Sequence, residues 1–481
     1  MSGVSAIVPG AVIDGFTVGP LVFSGGAALL YSVTSAEAAG ELLMKVPRIG
    51  AEQPTESLLS FETECNILPA LQGTGAPRFV ASGPIDEVPY LVMERVPGRS
   101  LASWLEGDVP PAEVATLGAA LARAASSLHR QDVIHLDIKP DNVIIRPTGE
   151  ATLIDYGFSH HASFPDLFAD GSRSAVGSWP YISPEQLDGV RSDARSDQFA
   201  IGATLYELAT HKLPFDVPQT EREARNRGWV LPEPPRALVK DFPPWLQEVI
   251  LRCLEPDPAN RYASCAQLAH VLSQPESVEL QGRGERTSAP GFFGQLRRTW
   301  GANRGKVARA PVSAPRLQIA AAPLILVAID TEVNNPPLLQ ALGDATQRAL
   351  LRSPESRLAC VTVITQALGR EEAGSSESER FHDYRVRLHH WVRRFGLPER
   401  RLSLHVLEAS DPAKAIVDFA RLNLCDVVLV GASHVQGLRR TVMTRIAEQA
   451  PCSVHVIRPV AYEGAAPVAV AGKEVNGGSG T

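Results

Sequence analysis

The stretch from Pro275 to Arg316 divides the chain. It contains QGRGERTSAPGFFGQLRRTWGANRGKVARAPVSAPR, and between Arg286 and Arg316 it carries seven basic residues and no acidic one. A run so rich in Gly, Pro, Ala and Arg lacks the apolar pattern of a core and reads as a linker. It forces two separate globular units. We assign residues 12–273 to the first, 274–317 to the linker and 318–460 to the second. The tail, 461–481, ends in NGGSGT and is read as disordered. At roughly 150 residues per domain, the length suits one large and one small unit.

Composition narrows the function classes. Apolar residues make up 44% and charged residues 21%, so wholesale disorder is excluded. The net charge of −7 argues against a nucleic-acid partner held by bulk positive charge. The six cysteines have no CxxC or Cys/His spacing, which points to reduced thiols in a cytoplasmic setting. The N-terminus has no basic, long apolar leader. The longest apolar run, Ile319 to Ile329, contains Pro323 and is shorter than the about 20 residues a membrane span needs.

The string Val133–Ile145, VIHLDIKPDNVII, carries the chemistry of the first unit. Asp137 is followed by Lys139 and Asn142, and further on LIDYG supplies Asp155. Phosphoryl transfer depends on placing charge: a carboxylate for the acceptor hydroxyl, oxygen ligands for a hard cation, and a cation beside the phosphates. Asp137 fits the first role, Asn142 and Asp155 the second, and Lys139 the third.

These strings resemble the catalytic loop and the magnesium-binding element of the protein kinase family, and the likeness continues in order across about 260 residues. VFSGGAALLY resembles the glycine-rich loop, with Gly25 and Gly26 near the phosphates. The resemblance implies that Lys45 holds the α- and β-phosphates and that Glu64 is its helical partner. Met93 then stands as gatekeeper, and Glu94 to Val96 offer backbone groups to adenine. Tyr156 and Gly157 complete the metal element, and Ser178 faces the catalytic loop. Asp197 holds the loop's amides, and Arg261 pairs with Glu185. Lys139 makes the loop similar to that of Ser/Thr kinases. Five positions in four elements depart from the family: Phe23 and Ala28 replace loop glycines, Leu43 replaces a small residue before Lys45, Leu136 replaces the arginine of His-Arg-Asp, and Tyr156 replaces a phenylalanine. Leu136 removes the arginine that receives a phosphate on the activation segment, where Ser172 and Ser174 are the candidate autophosphorylation sites.

In the second unit, APLILVAID, RLACVTVI, RLSLHVLE, CDVVLVGA and CSVHVIRP alternate with helical patterns, which reads as βαβ units around a parallel sheet. Asp411 before Pro412 is a helix cap. Order and strings resemble the universal stress protein family across 322–459. Nucleotide-binding members carry glycines after the fourth strand. Here Gly431 keeps the first, while His434, Thr444 and Arg445 occupy the later positions, and Gly437 offers a shifted register. Asp330 and Gly431 are the ligand candidates, but bulk at the glycine positions favours a regulatory or dimerising module. The resemblance points to pairing through the last strand, Cys452 to Pro459. In the linker, Phe292, Phe293, Leu296 and Trp300 share a helical face across 291–300, where packing on a domain is favoured over contact with an anionic membrane.

The expected fold is an α+β bilobal protein kinase, with an N-lobe over 12–97 and a C-lobe over 98–273, followed by an α/β five-stranded parallel-sheet domain. The expected activity is transfer of the ATP γ-phosphoryl group to Ser/Thr hydroxyls of protein substrates, with Mg2+ or, in its place, Mn2+. A pseudokinase scaffold, or a kinase governed by an adenosine nucleotide on the second domain, are the alternatives. The paired histidines at 160–161 and 389–390 are read as packing residues rather than metal ligands.

Overall fold

The computed structural model describes residues 7–48, 55–84, 88–164, 166–168, 176–218, 220, 223–224, 231–288, 323–331, 335–365, 377–398, 401–423, 425–432 and 438–459. Ser172, Ser174, His434, Gly437, the 291–300 segment and the tail lie outside them.

Strict alternation builds the N-lobe. Phe16, Val18, Tyr31, Val33, Leu42, Met44, Tyr90 and Val92 form one apolar cluster. They lie on strands β1 (Val12–Ile13), β2 (Phe16–Ser24), β3 (Ala28–Thr34), β4 (Leu42–Pro47), β5 (Phe79–Ser82) and β6 (Leu91–Glu94), which form an antiparallel sheet in the order β1-β2-β3-β4-β6-β5. Between β4 and β5 the chain forms helix α1 (Thr55–Ile67). Leu58, Leu59, Phe61, Glu62, Thr63, Glu64 and Ile67 of α1 are all buried. Burial round nearly the whole circumference means that α1 has neighbours on more than one side.

The C-lobe is helical. Pro111 opens α2 (Pro111–His129), where its fixed φ suits a first helical residue. A short antiparallel pair follows, β7 (Val143–Ile145) and β8 (Ala151–Leu153). Helices α3 (Arg195–Thr210), α4 (Pro244–Cys253) and α5 (Cys265–Ser273) complete the lobe around Leu121, Phe199, Leu205, Ile250 and Leu268. The segment read from composition as linker begins as part of this lobe. Arg283 pairs with Glu248 at 2.8 Å and Glu255 at 2.9 Å, and Gln247 Nε2 donates to the carbonyls of Arg283 and Arg286 at 2.7 and 2.9 Å.

The second domain is a doubly wound unit. Its elements are β9 (Leu324–Ala328), α6 (Pro336–Arg352), β10 (Arg357–Ile364), α7 (Glu377–Val392), β11 (Leu402–Glu408), α8 (Pro412–Leu422), β12 (Val427–Gly431), α9 (Leu438–Gln449) and β13 (Ser453–Ile457). All strand pairs are parallel, in the order β11-β10-β9-β12-β13. Neighbouring residues point to opposite faces: Ile325, Val327, Cys360 and Leu429 pack under α6 and α7, while Leu326, Ala328, Val361 and Val430 pack under α8 and α9. Asp411 caps α8, its carboxylate accepting from the Lys414 N–H at 3.2 Å. The α6–α7 side shares its apolar cluster with Leu58, Leu59, Leu167 and Phe168 of the first domain. Among the described residues no helix is long and apolar enough to cross a membrane.

Candidate active site

Three elements converge on one ammonium. Strand β4 carries Lys45, α1 carries Glu64, and the loop after β8 carries Asp155. Lys45 Nζ lies 2.5 Å from Glu64 Oε2 and 3.1 Å from Asp155 Oδ1. Burial alone would lower the Lys45 pKa, but the two carboxylates outweigh it and hold it well above its ordinary value. Asp155 is pushed up by burial, yet the Lys45 ammonium pulls it below the usual carboxylate range. Glu64, buried and close to Asp155, is pushed upward against the pull of Lys45, and its other oxygen accepts the Tyr156 N–H at 3.3 Å. Gly157 permits this approach: a Cβ there would come 1.8 Å from Ser60 Oγ on α1.

The catalytic-loop residues form a second cluster. Asn142 Nδ2 donates to both the carbonyl and Oδ2 of Asp137, each at 2.9 Å. Asp137 Oδ1 accepts the Ser178 N–H at 2.7 Å. Lys139 Nζ bridges the two, 3.3 Å from Asp137 Oδ2 and 2.6 Å from Ser178 Oγ. The loop itself is held from below. Asp197 accepts the N–H groups of His135 and Leu136 at 3.0 and 2.9 Å and lies 2.8 Å from His129 Nε2. These donors, His129 foremost, overcome burial and hold Asp197 below its ordinary pKa. Leu136 sits at φ 62°, a left-handed conformation strained for a side chain of its size, and Gln186 Nε2 secures its carbonyl at 2.9 Å. Arg261 grips both oxygens of Glu185, at 2.6 and 2.9 Å.

The positions expected to face a nucleotide are arranged as follows. Gly25 N–H closes the hairpin onto the Ala28 carbonyl at 3.0 Å, and Arg48 Nε holds the Gly25 carbonyl at 2.9 Å. Gly26 has open space around its Cα and is the position suited to close approach. Met93 is buried directly opposite Leu43 on the neighbouring strand. Glu94 N–H donates to the Arg78 carbonyl at 2.9 Å, and Arg146 holds the Glu94 carboxylate at 2.9 Å. Glu94 and half-buried Val96 are the positions on which the hinge expectation falls.

Sequence reasoning did not find His129, Gln186 or Arg48. His129 carried one available signal: a buried Asp197 needs more than two backbone donors.

In the second domain, Asp330 is exposed at the end of β9, and Gly431 ends β12 beneath Leu338, whose side chain a Cβ at 431 would meet at 3.2 Å. Arg445 is spent on Asp411, which it grips with both guanidinium nitrogens at 3.0 and 2.7 Å.

The protein kinase domain family model matches residues 16–273, more than half of the chain. The chain belongs to the protein kinase family. The universal stress protein family model matches residues 324–458. A probable serine/threonine-protein kinase of Corynebacterium efficiens is 30% identical over 271 residues, covering 54% of this chain and 41% of that protein. The serine/threonine-protein kinase PknB of Mycobacterium tuberculosis is 27% identical over 292 residues, covering 58% of this chain and 47% of its own. The chain therefore spans less than half the length of these relatives. The crystal structure of the Mycobacterium tuberculosis PknI kinase domain covers 56% of this chain and 99% of its own, at 23% identity and a TM-score of 0.44. Kinases of this family use ATP and a divalent metal, and act on proteins.

Proposed function

We propose that the chain is a Ser/Thr protein kinase that moves the γ-phosphoryl group of ATP to a protein hydroxyl. The observation that carries this reading is the joint assembly of Lys45, Glu64 and Asp155 beside Asp137, Lys139 and Asn142. A scaffold freed from catalysis has no need to keep both clusters of three intact. The named relatives also favour the kinase over the scaffold.

The donor set suits Mg2+. Asp155 offers a half-exposed carboxylate, and Asn142 donates through its nitrogen, which leaves its amide oxygen as a hard ligand. Bound there, the metal would neutralise charge on the phosphate oxygens. Lys45 holds the α- and β-phosphates. Asp137 orients the acceptor hydroxyl and takes its proton as the oxygen attacks the γ-phosphorus. The bond to the bridging oxygen breaks, and ADP leaves. Lys139 steadies charge between γ-phosphate and acceptor, and its contact with Ser178 supports the Ser/Thr assignment.

The second domain is read as a regulatory module that also pairs two chains through β13. Incubation with labelled ATP and a generic Ser/Thr acceptor tests the enzyme. Wild type should transfer label, and Asp137→Ala should lower the rate about a hundredfold or more. Equal rates, or no transfer by wild type with Mg2+ or Mn2+, would refute the assignment.

A further inference from the structure

Helix α1 delivers Glu64 to Lys45 on one face, and its opposite face is covered by the second domain. At about 100° per residue, Glu62 lies about 200° round the helix from Glu64 and shares a side with Leu58 and Leu59. Leu58 and Leu59 lie in one apolar cluster with Phe381 and Leu388 of α7. Between them Arg385 of α7 forms an ion pair with Glu62. Arg385 is only 1% exposed, and its other terminal nitrogen donates to the Leu404 carbonyl at 2.8 Å. Burial pulls its pKa down to about 9, which still leaves the guanidinium charged at neutral pH, and the Glu62 carboxylate is the acid it pairs with.

The same domain also holds the segment that follows Asp155. Phe168 enters the α7-side apolar cluster and packs on Phe158 with ring centroids 5.6 Å apart. Asp166 N–H donates to Asn423 Oδ1 at 2.9 Å, while the Asp166 carboxylate takes Arg191 Nε at 2.6 Å. Arg191 in turn donates to the Phe158 carbonyl at 2.9 Å. One body thus touches both elements that must meet at Lys45: α1, which carries Glu64, and the activation segment, which begins at Asp155.

We propose that the universal stress domain is a built-in partner of helix α1, and that Arg385 is a positioning residue that acts through Glu62 to keep Glu64 on Lys45. The inference rests on the kinase reading for its effect on rate. The docking itself stands on the contacts alone. Because such coupling is reciprocal, nucleotide held by the assembled site should in turn tighten the docked arrangement.

The test uses the full chain as wild type, Arg385→Met, Glu62→Gln, the double variant and Arg385→Lys. Two readings are taken: the KM for ATP and kcat with a generic serine peptide, and amide hydrogen exchange over residues 55–67. Each neutralising single variant should lower kcat/KM for ATP about tenfold and speed exchange in α1. The double variant should be no worse than the poorer single one, and Arg385→Lys should recover part of the loss. A folded Arg385→Met with wild-type KM and wild-type α1 exchange would overturn the proposal. So would strictly additive losses in the double variant, or a rise in activity on release, which would make the domain a brake. Should Arg385→Met fail to fold, Glu62→Gln decides by the same readings, since it leaves the second domain's own residues unchanged. If wild type transfers no phosphate, the kinase reading fails, and the exchange measurement alone still decides the docking.

Discussion

Arg261 lies fully inside the C-lobe and holds a carboxylate, Glu185, that is itself buried. Removing the cation leaves an uncompensated charge in a medium that cannot solvate it, at a cost of about 3–5 kcal/mol. Arg261→Ala should therefore lower the urea midpoint of the first domain, and a variant with an unchanged midpoint would show the pair to be dispensable. Under the kinase reading, Lys45 is the counterpart at the candidate site. Lys45→Met leaves Glu64 and Asp155 facing each other without a cation and takes a charge from the phosphates. Single-turnover transfer should fall about a hundredfold or more, and because Glu64 is buried and loses its cation the thermal midpoint should fall as well. Candidate residues whose chemistry lies in their own side chain can be picked out from sequence, since Asp137, Lys139 and Asn142 sit within one short window and the structure holds them together. Partners that meet only in the fold cannot: His129 reaches Asp197 across 68 residues and no local pattern announces it.

At the scale of elements, alternation marks the N-lobe strands, which bury one face, whereas continuous apolar runs mark the second domain's strands, which are covered on both faces. Composition does not announce the anchoring of Gln281 to Arg286, where one side chain, Arg283, pairs with two buried acids and the rest is held through backbone carbonyls that any residue type provides. The catalytic loop's strained Leu136 is held by Asp197 and Gln186. The double variant Ser172→Ala, Ser174→Ala should accordingly keep most transfer activity to a generic acceptor, and a loss as deep as that of Asp137→Ala would refute this. Strand β11 offers a pH test. His405 is buried there beside Ser403, and burial, aided by nearby Arg385 and opposed by Asp166, lowers its pKa from 6.5 to about 3. The unfolded chain therefore binds the proton more readily. Stability from the neutral ring is complete above pH about 6.5 and is lost as pH falls toward 3, at about 1.4 kcal/mol per pH unit. Melting followed through Trp391 should show this slope, and His405→Gln should flatten it.

For the whole molecule, the division into two units was legible from the break in composition, but their docking was not. An apolar face on α7 states that something covers it without saying what, and α1 carries no mark that its far side meets another domain. The two edges of the second domain's sheet are unequal. Strand β11 is buried along most of its length on the side where α7 meets the first domain, whereas β13 is largely exposed, with Val456 41% accessible. An exposed edge presents unpaired backbone groups that a second copy can satisfy by adding its own strand. Because β13 lies at the opposite edge from β11, such pairing would join two chains without disturbing the contacts to α1. The full chain should shift from monomer to dimer in sedimentation as its concentration is raised. Val456→Lys, which places a charge on that edge, should hold it monomeric with unchanged phosphotransfer at low concentration. A chain that stays monomeric at high concentration would exclude the pairing. A dimer indifferent to Val456→Lys would move the interface elsewhere on the molecule.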